Sequence, residues 1–209
     1  MAALDQMGPG QAGPGQTGPE LVLGLVAPVG VNLGDVADEI RTALLAVGYR
    51  AKEVNVIDAA AALHIKGWTL KEERAYERRI ADRMDFGNRV RCDIGLDGLA
   101  MIAVGQIQQL RREHHAQLPA EQHGEKPIPR VAYIIRSLKT ESEVRRLREV
   151  YGGSCYIVAA YASRDVQLDT LSKKIGESRL AGFDNFRSEA EALIKRDERE
   201  RGVSHGQNV

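Results

Sequence analysis

The turn from Ala27 to Asn32 is the part of the sequence whose residue types and position are best suited to bind a phosphate. It follows an apolar run, Leu21 to Val26, and leads into residues with helical periodicity. A small-residue turn between a buried strand and a helix gathers backbone N–H groups at the positive end of the helix, where an anion is stabilised. The nucleotide or phosphate contacts predicted here are Ala27, Pro28, Val29, Gly30, Val31 and Asn32.

This turn lacks the two side chains that carry the chemistry of a Walker A loop. Such a loop reads G-x-x-x-x-G-K-S/T; its lysine contacts the outer phosphates and its hydroxyl binds magnesium. When Gly30 is aligned with the first glycine of the GxGK ending, Leu33 takes the lysine position and Gly34 the hydroxyl position. We therefore expect no phosphoryl transfer by the turn itself. Two interpretations stay open: a backbone cradle for an anion, or a tight turn that binds nothing.

Three arginines are candidate counter-charges for a bound phosphate. Arg89 and Arg91 belong to the stretch GNRVR, Gly87 to Arg91, which is predicted to be a turn at a helix entrance. Arg136 ends a predicted strand. Guanidinium groups in such places can bind a phosphate through two parallel hydrogen bonds. The alternative is that these arginines, like Arg78, Arg79 and Arg83, belong to a solvated surface.

The sequence predicts neither a metal site nor a catalytic residue. A zinc deaminase needs H-x-E together with P-C-x-x-C. The chain has no C-x-x-C, and His123-Gly124-Glu125 has no cysteine pair to complete a site. We therefore expect no metal and no cofactor other than a possible nucleotide in this chain.

The elements that must position the turn alternate between strands and helices. Apolar runs predict strands at 21–26, around 54–57, at 130–136 and at 155–161. Apolar periodicity predicts helices from Val36 to Val47 and at 71–85, 93–112, 141–150, 165–174 and 183–201. Strands that alternate with helices are typical of a three-layer, doubly wound α/β fold with a mostly parallel sheet.

Composition divides the chain into three regions. Residues 1–19 form a Gly/Pro-rich leader that is predicted to be disordered. Residues 20–200 form the predicted α/β domain, and 201–209 the start of a linker. The charged run KRDERER, from Lys195 to Arg201, is predicted to face solvent or to belong to the linker.

Charge and cysteine content exclude several classes of partner. The 209 residues are 43% hydrophobic and carry 29 basic and 29 acidic side chains, so the formal net charge is zero. A balanced charge favours neither DNA nor an anionic membrane. No apolar run approaches the length of a membrane span or a secretion signal, and the two cysteines lie far apart. We therefore expect a cytoplasmic protein with free thiols.

Four stretches together carry a resemblance to a known family. They are ELVLGLVAPVG (Glu20 to Gly30), GNRVR (Gly87 to Arg91), AYIIRSLKTESEVRRLREVYG (Ala132 to Gly152) and LIKRDERE (Leu193 to Glu200). In this order they resemble the N-terminal half of bacterial anti-phage dCTP deaminases, over about residues 20–209. A more distant similarity runs to deoxynucleoside monophosphate kinases. The resemblance implies a P-loop kinase-like domain with a degenerate Walker A loop, followed beyond Val209 by a zinc-dependent deoxycytidylate deaminase domain.

Three hypotheses follow for the function of the chain. The first is a non-catalytic regulatory domain that binds a nucleotide, another anion or a partner and controls the attached deaminase, in a homo-oligomer and with a regulatory inhibitor as a further partner. The second is an active nucleotide kinase in which Lys66, Lys71 or Lys139 supplies the missing charge. The third is an oligomerisation scaffold whose former pocket is filled by side chains such as Leu33.

Overall fold

The computed structural model describes residues 18–71, 73–120, 124–180 and 186–200. Most of the predicted leader and the predicted linker at 201–209 lie outside these residues. Gly18, at the end of the predicted leader, accepts a backbone hydrogen bond from Arg130 through its carbonyl oxygen.

A parallel sheet forms the centre of the described chain. Its four strands are β1 (Leu21–Val26), β2 (Arg50–Asn55), β3 (Val131–Leu138) and β4 (Cys155–Ala159), in the order β2-β3-β1-β4. Each neighbouring pair runs parallel. The two central strands, β1 and β3, are apolar on both faces, as expected for strands covered on two sides. The predicted α/β class with a parallel sheet is therefore confirmed.

Helices cover both faces of this sheet. They are α1 (Leu33–Ala46), α2 (Val56–Ala61), α3 (Tyr76–Ile94), α4 (Gly98–His115), α5 (Glu141–Tyr151), α6 (Arg164–Arg179) and α7 (Arg187–Glu200). On one face, Leu25 and Ile134 pack against Ala37 and Leu44 of α1. On the other face, a larger core joins the sheet to α2, α3, α4 and α5. The arrangement is a three-layer α/β sandwich.

A separate apolar cluster joins α6 and α7 to the end of β1. Leu168, Leu171 and Ile175 of α6 pack against Leu193 and Ile194 of α7. Val29 of the loop after β1 and three residues of α3 pack against the same cluster: Tyr76, Ile80 and Ala81. Through these contacts α6, α7 and α3 lie beside the loop at the carboxyl edge of the sheet.

The predicted turn at Gly87–Arg91 is wrong, because α3 runs unbroken from Tyr76 to Ile94. Glycine inside a helix costs about 1 kcal/mol relative to alanine, and this one lies close to neighbouring side chains. A Cβ on Gly87 would lie 3.3 Å from a methyl group of Ile57 and 3.8 Å from one of Leu99. The chain instead turns at Gly95, whose φ is +109°.

Several further boundaries differ from the sequence prediction. Strand β2 begins earlier, at Arg50, and ends at Asn55, so Val56 and Ile57 belong to α2. The Asn55 side chain accepts the Asp58 backbone N–H and thereby ends the strand and begins the helix. The helix predicted at 93–112 is observed as α4, which begins later, at Gly98, and extends to His115.

Candidate functional site

A cavity of about 170 Å³ opens where β1 and β3 end. In open parallel sheets this carboxyl edge is where ligands bind. The loop after β1 forms one wall, α3 forms another, and the end of β3 with Asp197 of α7 completes the lining. The side chains in the walls include Leu33, Tyr76, Arg83, Arg91, Ser137, Lys139 and Asp197.

The loop owes its conformation to Gly30, which packs directly against α6. Its φ is +89°, and a Cβ there would lie 2.8 Å from the Cβ of Gln167 and 3.0 Å from its Cα and carbonyl oxygen. Only glycine satisfies both the backbone angle and this close approach to another backbone. The predicted contacts from Ala27 to Val31 all line the cavity. Asn32 lies beyond it, and its amide oxygen accepts a hydrogen bond from Lys174 Nζ at 3.2 Å.

Three backbone N–H groups, in the loop and at the start of α1, already have acceptors. The Val29 N–H donates to Asp197 Oδ2 at 2.9 Å. The Val31 N–H donates to the Pro28 carbonyl at 3.4 Å, and the Leu33 N–H to the Val31 carbonyl at 3.0 Å. The loop is therefore only a partial anion cradle, and its clearest hydrogen bond to an anion goes to the protein's own carboxylate.

A lysine lies against the loop, although its sequence position differs from that of the Walker A lysine. Lys139 Nζ donates to the Ala27 carbonyl at 2.8 Å and to Asp197 Oδ1 at 3.2 Å. Lys139 directly follows β3, which is the neighbour of β1 in the sheet. Of the three lysines considered from the sequence, Lys139 lines the cavity, whereas Lys66 and Lys71 are exposed and do not.

A buried ion pair positions the segment that carries Lys139. Arg91 Nε donates to Glu143 Oε1 at 2.9 Å, and these side chains are 1% and 0% exposed. The other oxygen of Glu143 accepts the backbone N–H groups of Lys139 at 2.7 Å and Thr140 at 3.0 Å. The Thr140 hydroxyl accepts the Glu143 N–H in return, which completes a capping box at the start of α5. One oxygen of this carboxylate therefore binds Arg91, and the other holds the backbone at Lys139 and Thr140.

An irregularity in β3 directs two adjacent residues to opposite sides. Between Gly24 and Val26 of β1, the paired strand advances from Ile135 to Leu138, one residue more than β1. Such bulges redirect side chains and are common next to binding sites. Ser137 has φ +70° and lines the cavity, whereas Arg136 forms an ion pair with Glu53 Oε2 at 2.9 Å.

The three candidate arginines do not converge on the loop. Arg91 lines the cavity, but its Nε is held by Glu143 and its Nη1 donates to Asn88 at 3.3 Å. Arg89 is exposed on α3 and borders a different surface depression. Arg136 pairs with Glu53 of β2 and is absent from the cavity wall. The cations that face the cavity are Arg83, Arg91 and Lys139.

Part of the cavity wall is apolar and suits a flat ring. Ile57, Ile80 and Met84 line it together with Tyr76. Burial raises the pKa of the Tyr76 hydroxyl, an effect that nearby Arg79 partly offsets, so this side chain is neutral at physiological pH. A dry apolar cavity of about 150 Å³ is large enough for benzene. The cavity can therefore enclose one ring, and it is not filled by Leu33.

Asp197 and Glu143 are the site residues that the sequence interpretation missed. Asp197 belongs to the KRDERER run predicted to face solvent, yet it is buried. The signal was its spacing: Ala190, Leu193, Ile194 and Asp197 recur at helical intervals on one face of α7. For Glu143 the signal was Thr140-x-x-Glu143, the pattern of a capping box.

Comparisons with known proteins leave the family open. No protein-family model matches the chain, and no curated protein matches it. Among the described residues, no group of three or more histidine, cysteine, aspartate or glutamate side chains could hold a metal ion. In the same ranges, no helix is long and apolar enough to cross a membrane.

Proposed function

We propose that this chain is a degenerate, P-loop kinase-like domain that binds a nucleotide or another phosphate-bearing anion and regulates an attached zinc-dependent dCTP deaminase of anti-phage defence. The zinc belongs to the deaminase domain in this proposal. Its setting is cytoplasmic and homo-oligomeric, with a regulatory inhibitor as a further partner. The resemblance of four sequence stretches supports the deaminase, and the geometry of the cavity supports the anion.

The observation that carries the binding proposal is the convergence of the loop, the Lys139 ammonium and an apolar cavity at one sheet edge. A nucleotide combines a flat, weakly polar ring with an anionic group. Ile57, Tyr76, Ile80 and Met84 offer a surface for the ring. The Val29 N–H and Lys139 offer donors for a phosphate, and both now bind a carboxylate. A loop that follows the first strand and precedes the first helix is also the arrangement of a P-loop.

The absence of the Walker A lysine and hydroxyl from the loop supports binding without turnover. Phosphoryl transfer relies on metal ions and cationic groups that stabilise the developing charge. The loop has Leu33 and Gly34 where a Walker A loop has its lysine and metal-binding hydroxyl. The proposed domain therefore recognises the anion and leaves its bonds intact.

Calorimetric titration of the full chain with nucleoside triphosphates and deoxynucleoside monophosphates tests the proposal. At least one of them should give a saturable heat. The Lys139→Met variant should bind it at least about ten-fold more weakly, because a hydrogen bond to a charged group is worth about 1.5–3 kcal/mol. Lys173→Met, which removes an exposed lysine of α6, should bind as the wild type does. Flat titrations with every nucleotide would overturn the proposal.

A nucleotide kinase is the second candidate, and the position of Lys139 favours it. Its ammonium lies 2.8 Å from the Ala27 carbonyl, where it could contact a phosphate held by the loop. ATP consumption with deoxynucleoside monophosphates as acceptors separates the two candidates. Turnover that the Lys139→Met substitution abolishes would establish the kinase; nucleotide binding without turnover would favour the regulatory domain.

A further inference from the structure

We infer that Asp197 is an internal substitute for the anionic ligand, and that the last turn of α7 is a latch which a bound phosphate displaces. The inference rests on the proposed function, since it concerns how the same site is regulated. It names the residue that competes with the ligand and the helix that responds.

The contacts of Asp197 are those expected of a bound anion. Its Oδ2 accepts the Val29 N–H at 2.9 Å and its Oδ1 accepts a hydrogen bond from Lys139 Nζ at 3.2 Å. The residue is 3% exposed, and it lines the cavity. A phosphate oxygen is an acceptor for the same two donors and carries equal or greater negative charge. Both anions cannot occupy the position at once.

Displacement of this carboxylate requires movement of the helix that carries it. A phosphate bound by Val29 and Lys139 would leave Asp197 without its donors and beside a like charge. Like charges in a poorly solvated site repel strongly. Because the side chain is short and enclosed, it escapes only if the last turn of α7 shifts away from the loop.

The last turn of α7 is attached less firmly than the middle of the helix. Ala190, Leu193 and Ile194 pack into the apolar cluster with α6. After Ile194, the contacts to other elements are polar: Asp197 to the loop and to Lys139, Arg196 to Asp85 of α3, and Glu198 to Arg164 of α6. The latter two pairs are partly exposed, and exposed ion pairs contribute about 0–1 kcal/mol. Loss of the Asp197 contacts therefore frees the end of the helix while the middle stays packed.

Thermodynamic linkage makes the effect reciprocal. If phosphate binding opens the latch, the closed latch must weaken phosphate binding by the same factor. Removal of the negative charge at residue 197 should therefore strengthen anion binding. Nucleotide binding would then be reported to whatever follows α7 in the chain, which under the proposed function is the deaminase.

The test combines anion affinity with hydrogen exchange in the full chain, and uses inorganic pyrophosphate and ATP as probes. Asp197→Asn should bind at least about five-fold more tightly than the wild type, the lower end of common coupling factors. Glu191→Gln removes the same charge from a partly exposed residue in the middle of α7, outside the latch, and should leave the affinity unchanged. In the wild type, which needs no substitution, either probe should speed amide exchange at 196–200 and leave 188–193 unchanged.

The outcomes separate the latch from the proposed function. Equal affinities of wild type and Asp197→Asn, or a bound probe that leaves exchange at 196–200 unchanged, would overturn the latch and leave the binding function standing. Binding by Asp197→Asn alone would overturn the proposed function of the wild-type chain and, with it, a latch that a bound phosphate displaces. No binding by either protein would overturn the proposed function and the latch with it.

Discussion

Two buried ion pairs border the same cavity, and they differ in what their carboxylates hold. Glu143 accepts Arg91 on one oxygen and two backbone N–H groups on the other, all from the walls that surround it. Asp197 has one charged donor and one backbone donor, and it reaches them from a helix that packs mainly on α6. The side chains of the first pair are 1% and 0% exposed, and those of the second are 14% and 4% exposed.

This difference indicates which buried charge is structural and which is exchangeable. The Arg91–Glu143 pair fixes the backbone at the start of α5, so that an external anion cannot replace it without loss of the capping box. The Lys139–Asp197 pair joins two separate elements, and a ligand can supply the same negative charge. Burial of a charge alone does not identify a site; the elements that its partners connect are more informative.

The largest expected effect is on the structural pair. Glu143→Gln should lower the free energy of unfolding by about 3–5 kcal/mol, because it leaves the Arg91 guanidinium buried without a counter-charge. Urea denaturation of the purified chain measures this loss. On the same helix, Glu141→Gln removes only an exposed partner of Arg145 and should change stability by less than about 0.5 kcal/mol. A Glu143→Gln variant as stable as Glu141→Gln would remove the distinction between the two pairs.

A second substitution tests how firmly the loop is held against α6. Gly30→Ala combines a left-handed backbone, which costs an L-residue about 1–2 kcal/mol, with a Cβ 3.0 Å from the backbone of Gln167. Overpacking adds about 1–3 kcal/mol, so thermal and urea unfolding should show a loss of about 2–5 kcal/mol.

Gly34 provides the matched control for Gly30. It lies in the first turn of α1, and a Cβ there would meet only the Asn32 amide oxygen, at 3.4 Å. Gly34→Ala should be neutral or should raise stability by up to about 1 kcal/mol. Equal losses of stability for Gly30→Ala and Gly34→Ala would contradict the conclusion that the loop packs tightly against α6 at Gly30.

The smallest expected effect is on the exchangeable pair. Asp197→Asn should lower the free energy of unfolding by about 1–2 kcal/mol, because an amide oxygen can still accept the Val29 N–H while the contact with Lys139 weakens. The same urea experiment measures it beside Glu143→Gln. A loss of stability as large as that of Glu143→Gln would show that Asp197 is as structural as Glu143 and would contradict the proposal that it acts as a latch.

The sequence predicted four strands of a parallel sheet, with β2 displaced, and was insufficient for the side chains around the loop. Strand β1 was predicted with its observed bounds, because six apolar residues bounded by turn residues leave little choice. The prediction of a turn at Gly87 was wrong. This glycine lies inside a helix and packs close to Ile57 and Leu99, which lie elsewhere in the sequence.

The charged site residues depended on long-range placement. From the sequence, Lys139 could be proposed only as one of three lysines. The pairing of β3 with β1 in the sheet decides which lysine reaches the loop. Asp197 lies within a run of charged residues and was therefore predicted to face solvent, although its helical spacing places it on the apolar face of α7. The sequence interpretation grouped Arg89, Arg91 and Arg136 because each lies near the end of a predicted element. In the structure, a continuous helix and a β-bulge orient these side chains in different directions.

The most direct test of the account measures amide hydrogen exchange at Val29 in the wild type and in Asp197→Ala. The account predicts a slowly exchanging Val29 amide in the wild type and at least about ten-fold faster exchange in the variant, with the amides of β1 unchanged in both. Equal exchange rates of Val29 in the two proteins would contradict the claim that the carboxylate of α7 occupies the anion position of the loop.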